Sequence, residues 1–141
     1  MTESTEIVLH IDGASRGNPG EAGFGVLASG PDGKPVAELF GYLGQTTNNA
    51  AEYAALLHAL RWASARGFRR IRVVSDSELV VKQIDGRYRV KHPGLAPLHR
   101  EALGLLRQFE AASVAHVRRE LNREADRLAN QAVDSKSSQL G

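Results

Sequence analysis

Hydrophobic positions in the first third of the chain form the short runs that are typical of β-strands. An almost continuous apolar run over residues 6–12 predicts a strand that is buried on both faces. Turn residues follow at 13–20, and residues 24–28 and 36–42 predict two more strands. We expect these three strands to form an antiparallel meander.

After residue 46 the hydrophobic period changes to that of amphipathic helices. Residues 53–63 carry apolar side chains at helical spacing, with capping residues at 46–49 and Gly67 at the end. The further predicted elements are strands at residues 71–75 and 113–117 and helices at 78–84, at 95–109 and after Asn122. We expect residues 1–134 to form one domain and residues 135–141 a flexible, frayed tail.

A meander followed by alternating helices and strands predicts an α/β fold. The sheet should be mixed and five-stranded, with three antiparallel strands, two parallel strands and helices on both faces. A right-handed crossover through the first helix would make the first and fourth strands parallel neighbours. Their carboxyl ends would then meet at one edge of the sheet.

Composition narrows the class of protein. The 141 residues include no cysteine, which excludes thiolate metal sites and cysteine nucleophiles. No apolar stretch reaches the roughly 20 residues of a membrane span, and the acidic residues 1–6 do not resemble a secretory signal. We therefore expect a cytoplasmic location.

The net charge is only +2, but basic residues cluster at 66–72, 87–92 and 118–127, which suits a phosphate-backbone substrate.

Four acidic residues stand where exposed surface charges are not expected: Asp12, Glu52, Asp76 and Asp126. Asp12 and Asp76 each end an apolar run that is predicted to be a strand. Glu52 and Asp126 lie in the first turns of predicted helices, on faces that can point toward the sheet. Crowded carboxylates raise one another's pKa unless a cation compensates them, and Mg²⁺ prefers such oxygen ligands. The pattern therefore predicts a metal-dependent enzyme.

Four local sequences carry these acids: IDGASRGNPG at residues 11–20, TNNAAE at 47–52, SDSELV at 75–80 and NREADRLA at 122–129. In this order they resemble the motifs of the type 1 ribonuclease H family, and together they extend over nearly the whole chain. The resemblance implies an endonuclease that cuts the RNA strand of an RNA/DNA hybrid. It further implies catalysis by two Mg²⁺ ions, with Mn²⁺ as an alternative ion, and products with 5′-phosphate and 3′-hydroxyl ends.

The same resemblance implies a role for each carboxylate. Asp12 would bridge both ions, and Glu52 and Asp76 would complete the ion at the leaving group. Asp126 would hold the ion on the side of the attacking water. Such a pair of ions suits in-line attack on a phosphodiester, because one activates the water and the other stabilises the leaving oxygen.

Expected substrate contacts follow from the resemblance: Asn18, Thr47, Asn48, Asn49, Glu78 and Asn122. Asn18, Asn48 and Glu78 correspond to positions that contact bases or 2′-hydroxyls in the minor groove, and Thr47 corresponds to a phosphate contact. Asn18 and Asn48 are equally suited to turn and cap roles. Glu78 departs from the glutamine that is common at its position, and its carboxylate can accept a hydrogen bond from a 2′-hydroxyl but cannot donate one.

Two segments depart from the common family pattern. The segment at residues 87–94 is shorter than the lysine- and tryptophan-rich extension that many relatives carry at this place. We therefore expect modest affinity for the hybrid. The loop before Asp126 lacks the usual histidine, and Arg118 or Arg119 would supply an auxiliary cation there, with Arg118 preferred. We expect a structural role for His116. These departures resemble the compact archaeal and actinobacterial-like branch of the family.

The sequence leaves alternatives to a monomeric ribonuclease H acting on hybrids. Activity on double-stranded RNA is one, because its A-like shape is shared with the hybrid. A non-catalytic module that binds hybrids is another, although uncompensated carboxylates near phosphates disfavour it. A domain from a larger fusion is a third, which the expectation of natural termini disfavours.

Overall fold

The computed structural model describes residues 5–141. Its elements in chain order are β1 (Glu6–Gly17), β2 (Gly20–Ser29), β3 (Pro35–Thr46), α1 (Asn48–Ala65), β4 (Arg70–Ser75), α2 (Glu78–Ile84), α3 (Ala96–Leu106), β5 (Ala111–His116), a short 3₁₀ helix (Arg119–Leu121) and α4 (Arg123–Ser135). One five-stranded sheet has the order β3-β2-β1-β4-β5. β1, β2 and β3 are antiparallel, whereas β4 is parallel to β1 and β5 is parallel to β4. The predicted fold class is confirmed.

β1 is longer than its hydrophobic pattern predicts. The β1–β2 hairpin stays paired as far as Gly17 and Gly20, so residues 13–17 are strand rather than turn. Only Asn18 and Pro19 are left to make the connection. The small and polar residues of this stretch resemble a turn, but a paired neighbouring strand satisfies their backbone groups equally well.

Helices cover both faces of the sheet. Ile11 and Phe24 belong to the main core, which β1 and β2 share with α1. Phe40 of β3 belongs to a second cluster with Leu128 and Ala132 of α4. Side chains alternate between the faces of a strand, so the buried odd positions of β1 face α1 and its even positions face α4.

Two glycines allow a helix to approach the sheet closely on each face. A Cβ atom on Gly13 would lie 2.3 Å from the backbone nitrogen of Glu52 in α1, and one on Gly25 would lie 2.3 Å from the carbonyl oxygen of Ala125 in α4. Gly25 is paired with Asp12 across the β1–β2 ladder. Both close approaches therefore occur beside the same residue of β1.

Residues beyond α4 lie along the edge of β3. The backbone N–H and C=O groups of Phe40 and Gln139 exchange hydrogen bonds of 2.9 and 2.7 Å, and the N–H of Tyr42 donates to the Ser138 hydroxyl at 3.2 Å. The guanidinium of Arg66 also donates to the carbonyl of Gly141. The expectation of a frayed tail is not supported here, because an edge strand offers unpaired backbone groups that a following segment can satisfy.

Among residues 5–141, no helix has the length and apolar character needed to cross a bilayer.

Candidate active site

Four carboxylates come from two strands and two helices at one edge of the sheet. Asp12 lies within β1, and Asp76 follows the last residue of β4. These strands are parallel and pair Ile11 with Ser75, so the two aspartates are neighbours. Asp126 lies in the first turn of α4 as predicted. Glu52 was expected in a first turn but lies in the second turn of α1, because that helix begins at Asn48.

Glu52 is held by hydrogen bonds at both of its carboxylate oxygens. The N–H of Gly13 donates to Oε1 at 2.7 Å, and the hydroxyl of Ser75 donates to Oε2 at 2.7 Å. The hydroxyl oxygen of Ser75 in turn accepts from the N–H of Ser77 at 3.0 Å. With an exposed fraction of only 3%, Glu52 is fixed at the boundary between the core and the site.

Asp12, Glu52 and Asp76 each offer a carboxylate oxygen within 4.8 Å of the other two. An open cavity of about 450 Å³ adjoins them and is lined by Asp12, Gly13, Ala14, Ser15, Asn48, Asp76, Arg119, Asp126 and Asn130. The fourth predicted carboxylate, Asp126, therefore faces the same space. The structure brings together all four predicted acids.

Burial and crowding raise the pKa values of Asp12, Glu52 and Asp76. The pKa of Asp12 rises to about 10, first because of burial and then because of the negative charges of Glu52 and Asp76. Burial raises the pKa of Glu52 to about 7, against the opposing hydrogen bonds from Ser75 and Gly13. The pKa of Asp76 is also raised by burial, an effect that the positive charge of Arg119 partly offsets.

The donor set fits a hard divalent cation. It consists of carboxylate oxygens gathered at a half-buried edge, which is the ligand type that Mg²⁺ and Mn²⁺ prefer. A bound cation would counteract the raised pKa values, because an opposite charge favours the ionised carboxylate. Asp12, Glu52, Asp76 and Asp126 are the residues that could hold it.

The predicted substrate contacts lie around the cavity in different ways. The side-chain oxygen of Asn18 accepts a hydrogen bond from the backbone N–H of Asn48 at 3.1 Å, and both residues are exposed. Thr47 is the N-cap of α1 and accepts from Ala50 at 3.2 Å. Asn49 is half-buried in the first turn of α1. Asn18 therefore lies in the β1–β2 turn as predicted, whereas the cap role belongs to Thr47 and not to Asn48, which lines the cavity.

Glu78 begins α2 and is exposed. It pairs with Lys82 one helical turn later, which lowers the pKa of the Glu78 carboxyl. His116, for which a structural role was expected, ends β5 with its side chain exposed.

Two sequence-based expectations are corrected. Asn122 is only 2% exposed, and its side-chain amide donates to the carbonyl of Ile11 at 2.7 Å, so it has no surface to offer a substrate. Arg118 was preferred over Arg119, but its side chain is 84% exposed and pairs with Glu120. Arg119 lines the cavity instead, because the short 3₁₀ helix after Arg118 turns it toward the site.

Sequence reasoning missed three polar residues at the site. Ser15 lines the cavity, Ser75 holds Glu52, and Asn130 both lines the cavity and donates to the carbonyl of Asp126 at 2.9 Å. The spacing of Asn130, four residues after Asp126 on one helix face, was the available signal. Ser75 offered a weaker one as the residue before Asp76.

A protein-family model described as "Reverse transcriptase-like" matches residues 10–132. The bifunctional protein Rv2228c of Mycobacterium tuberculosis is 44% identical over 131 residues, which are 92% of this chain and 36% of that protein. Ribonuclease HI of Halobacterium salinarum is 48% identical over 126 residues, which are 89% of this chain and 63% of that protein. The chain thus spans only part of the length of these relatives.

Solved structures match the fold closely. The crystal structure of RNase H1 from Halobacterium salinarum NRC-1 superposes with a TM-score of 0.90 at 43% identity, over 92% of this chain and 98% of that one. LC11-RNase H1 in complex with an RNA/DNA hybrid gives a TM-score of 0.88 at 37% identity, over 92% and 98% of the two chains. Because the family model covers most of the chain and these structures match on nearly their whole length, the protein belongs to the reverse transcriptase-like family and, within it, to the type 1 ribonucleases H.

Proposed function

We propose that this chain is a ribonuclease H that hydrolyses the RNA strand of RNA/DNA hybrids and leaves 5′-phosphate and 3′-hydroxyl ends. The observation that carries the proposal is the close set of carboxylate oxygens on Asp12, Glu52 and Asp76, within 4.8 Å of one another. A ribonuclease H1 of the same fold has been crystallised with an RNA/DNA hybrid, which supports the same substrate class for this chain.

The proposed cofactor is a pair of Mg²⁺ ions. Bound divalent ions supply Lewis-acid chemistry for phosphodiester hydrolysis, since they lower the pKa of an attacking water and stabilise charge on a leaving oxygen. Asp12 would contribute to both sites, Glu52 and Asp76 to the site of the leaving group, and Asp126 to the site of the water. Gly13 supports this arrangement by fixing one oxygen of Glu52, as Ser75 does for the other.

Residues around the cavity would orient the hybrid. Asn18 and Asn48 are exposed, and a side-chain amide can both donate to and accept from a 2′-hydroxyl, the group that distinguishes RNA from DNA. Thr47, Asn49 and Glu78 remain proposed contacts on the basis of the motifs. The permanent charge of Arg119 would attract a phosphate but cannot serve as a general base.

We further propose that the chain acts as a monomer in the cytoplasm.

The connection between α2 and α3 spans only residues 85–95, so the enzyme has little extra surface with which to grip a hybrid. Its discrimination between hybrid and double-stranded RNA should then depend mainly on groups beside the cavity.

Cleavage of an end-labelled hybrid tests the proposal. Purified protein should cut the RNA strand with Mg²⁺ and lose activity with a chelator, and the products should carry 5′-phosphates. Duplex RNA and duplex DNA of the same sequence serve as matched substrates. If the protein cut no hybrid with Mg²⁺ and none with Mn²⁺, the proposed activity would be refuted. Equal cleavage rates on the hybrid and on duplex RNA would refute hybrid specificity.

A further inference from the structure

Asn130 connects one of the four carboxylates to a surface ion pair. It lies one turn after Asp126 in α4, is half-buried and lines the catalytic cavity. Its Nδ2 donates to the backbone carbonyl of Asp126 at 2.9 Å and lies 3.3 Å from the Oδ1 atom of that residue. The motif at residues 122–129 ends just before Asn130, so the motif itself gives this residue no role.

Arg16 and the backbone carbonyl of Asp126 together fix the direction of the Asn130 amide. The Nη2 atom of Arg16 donates to Oδ1 of Asn130 at 3.2 Å. A guanidinium can only donate hydrogen bonds, so the amide oxygen must face Arg16 and the NH₂ group must face Asp126. Arg16 is itself anchored by an ion pair of 2.6 Å between Nη1 and the carboxylate of Asp134. The end of β1 is thereby connected to successive turns of α4.

Asp126 is held less firmly than Glu52. Two donors at 2.7 Å restrain Glu52, whereas the amide of Asn130 lies 3.3 Å from the Asp126 carboxylate. A neutral amide at this distance limits rotation of the carboxylate without cancelling its charge. A cationic donor in the same place would compete with a metal ion for that charge.

We infer that Asn130 is a positioning residue for Asp126, oriented by Arg16, and that it sets the affinity for the divalent cation that Asp126 helps to hold. This inference rests on the proposed function. Residues that orient metal ligands typically contribute about 10- to 100-fold to affinity or activity. The long contact to Oδ1 places Asn130 at the low end, so we expect about a tenfold effect.

A calorimetric titration of Mn²⁺ alone into the substrate-free protein measures this effect without catalysis. Asn130→Ala should weaken Mn²⁺ binding about tenfold. The Mg²⁺ concentration for half-maximal cleavage should rise by the same factor, with little change in KM for the hybrid or in kcat at saturating Mg²⁺. The melting temperature of the Asn130→Ala protein in chelator should not fall, because alanine is the best helix former.

Further variants separate orientation from simple packing. Arg16→Lys keeps a donor and should bind Mn²⁺ almost as wild type does, whereas Arg16→Ala should weaken binding in the same direction as Asn130→Ala. Arg16→Ala should add nothing when Asn130 is already alanine. Gln131→Ala is the matched control, since Gln131 is the next residue of α4, is exposed and accepts from Arg127 instead. It should bind Mn²⁺ normally.

Two results would overturn the inference. One is unchanged Mn²⁺ binding in Asn130→Ala. If KM for the hybrid rose at the same time, Asn130 would be a direct substrate contact instead. The other is a fall in the metal-free melting temperature that accounts for the whole loss of activity. If the wild-type protein cut no hybrid, the proposed function would fail, but the Mn²⁺ titrations would still decide the role of Asn130.

Discussion

Asp12 differs from the other three carboxylates in its surroundings. Burial raises its pKa, and the charges of Glu52, Asp76 and Asp126 all raise it further. Asp126 is half-buried and has the amide of Asn130 as its neighbour. A group that faces three other ligands has the most metal contacts to lose, so the two aspartates should not be equally replaceable.

Asp12→Asn should abolish cleavage, because Asp12 is proposed to contribute to both ion sites. Asp126→Asn should be milder, because Asp126 is proposed to contribute to one site and an amide oxygen can still coordinate that metal. Charge stabilisation by a metal site is worth several kcal/mol, so losing the central ligand should reduce kcat by at least about a hundredfold. Rates on a labelled hybrid at saturating Mg²⁺ measure both effects.

Circular dichroism and hybrid binding should show that the Asp12→Asn protein is folded. A residual rate of more than a few per cent of wild type would contradict the central role of Asp12.

At the level of elements, the position of α4 against β2 depends on the absence of a side chain at Gly25. A Cβ atom there would lie 2.3 Å from the carbonyl oxygen of Ala125 and 2.6 Å from the backbone nitrogen of Ala129. These are backbone atoms of the helix, which cannot move without shifting α4 as a whole. Asp126 follows Ala125, so a displaced helix would also displace that carboxylate.

Gly25→Ala should therefore lower the free energy of unfolding by about 3 kcal/mol, at the upper end of the usual cost of overpacking, and should reduce activity further. Chemical denaturation measures the first effect, and the Mg²⁺ dependence of cleavage measures the second.

Gly104→Ala is the matched control. Gly104 lies in α3 with no atom within 4 Å of an added Cβ, so alanine should stabilise the protein by up to about 1 kcal/mol. Equal stability changes in the two variants would contradict the steric explanation.

At the level of the whole molecule, the carboxylate cluster makes folding depend on pH and metal together. The pKa of Asp12 is raised from 3.8 to about 10, and that of Glu52 from 4.5 to about 7. Between the unfolded and folded values the native state binds more protons than the unfolded chain does. Their stabilising contribution to the free energy of unfolding is therefore fully present below about pH 4. It is lost as the pH rises toward 7 for Glu52 and toward 10 for Asp12.

In chelator, the melting temperature of the wild type should fall relative to that of Asp12→Asn as pH rises from 5 to 8. The relative change should be about 3 °C or more, since 1 kcal/mol shifts the melting temperature of a domain this size by roughly 3 °C. Mg²⁺ should stabilise the wild type more at pH 8 than at pH 5, because fewer protons compete for the carboxylates. Parallel pH curves for the two proteins in chelator would show that Asp12 does not titrate in this way.

Much of the fold was predictable because hydrophobic period is a local property. The helix at residues 78–84 was predicted with its observed ends, and every predicted strand exists. The errors fell where pairing with another segment decides the structure. Residues 13–17 became strand because β2 continues beside them, and Gln139 pairs with Phe40 because the edge of β3 was free.

The candidate site was predictable to the extent that residue type and motif spacing carry it. The four carboxylates were found because acids at strand ends and helix starts are unusual, whatever their neighbours are. The roles of Asn122, Arg119 and Asn130 were not found, since each depends on the direction in which a side chain points. The amide of Asn122 turns inward to Ile11, whereas Arg119 turns toward the cavity.

The sequence by itself determined the strand and helix order, the identity of the four candidate acids and the family motifs, all of which are encoded in short stretches of chain. Tertiary structure decided how those carboxylates are held. Glycine at positions 13 and 25 has no visible purpose until α1 and α4 lie against opposite faces of the sheet. Contacts such as those of Arg16 with Asn130 join residues more than a hundred positions apart, and only the packing of the whole domain brings them within hydrogen-bonding distance.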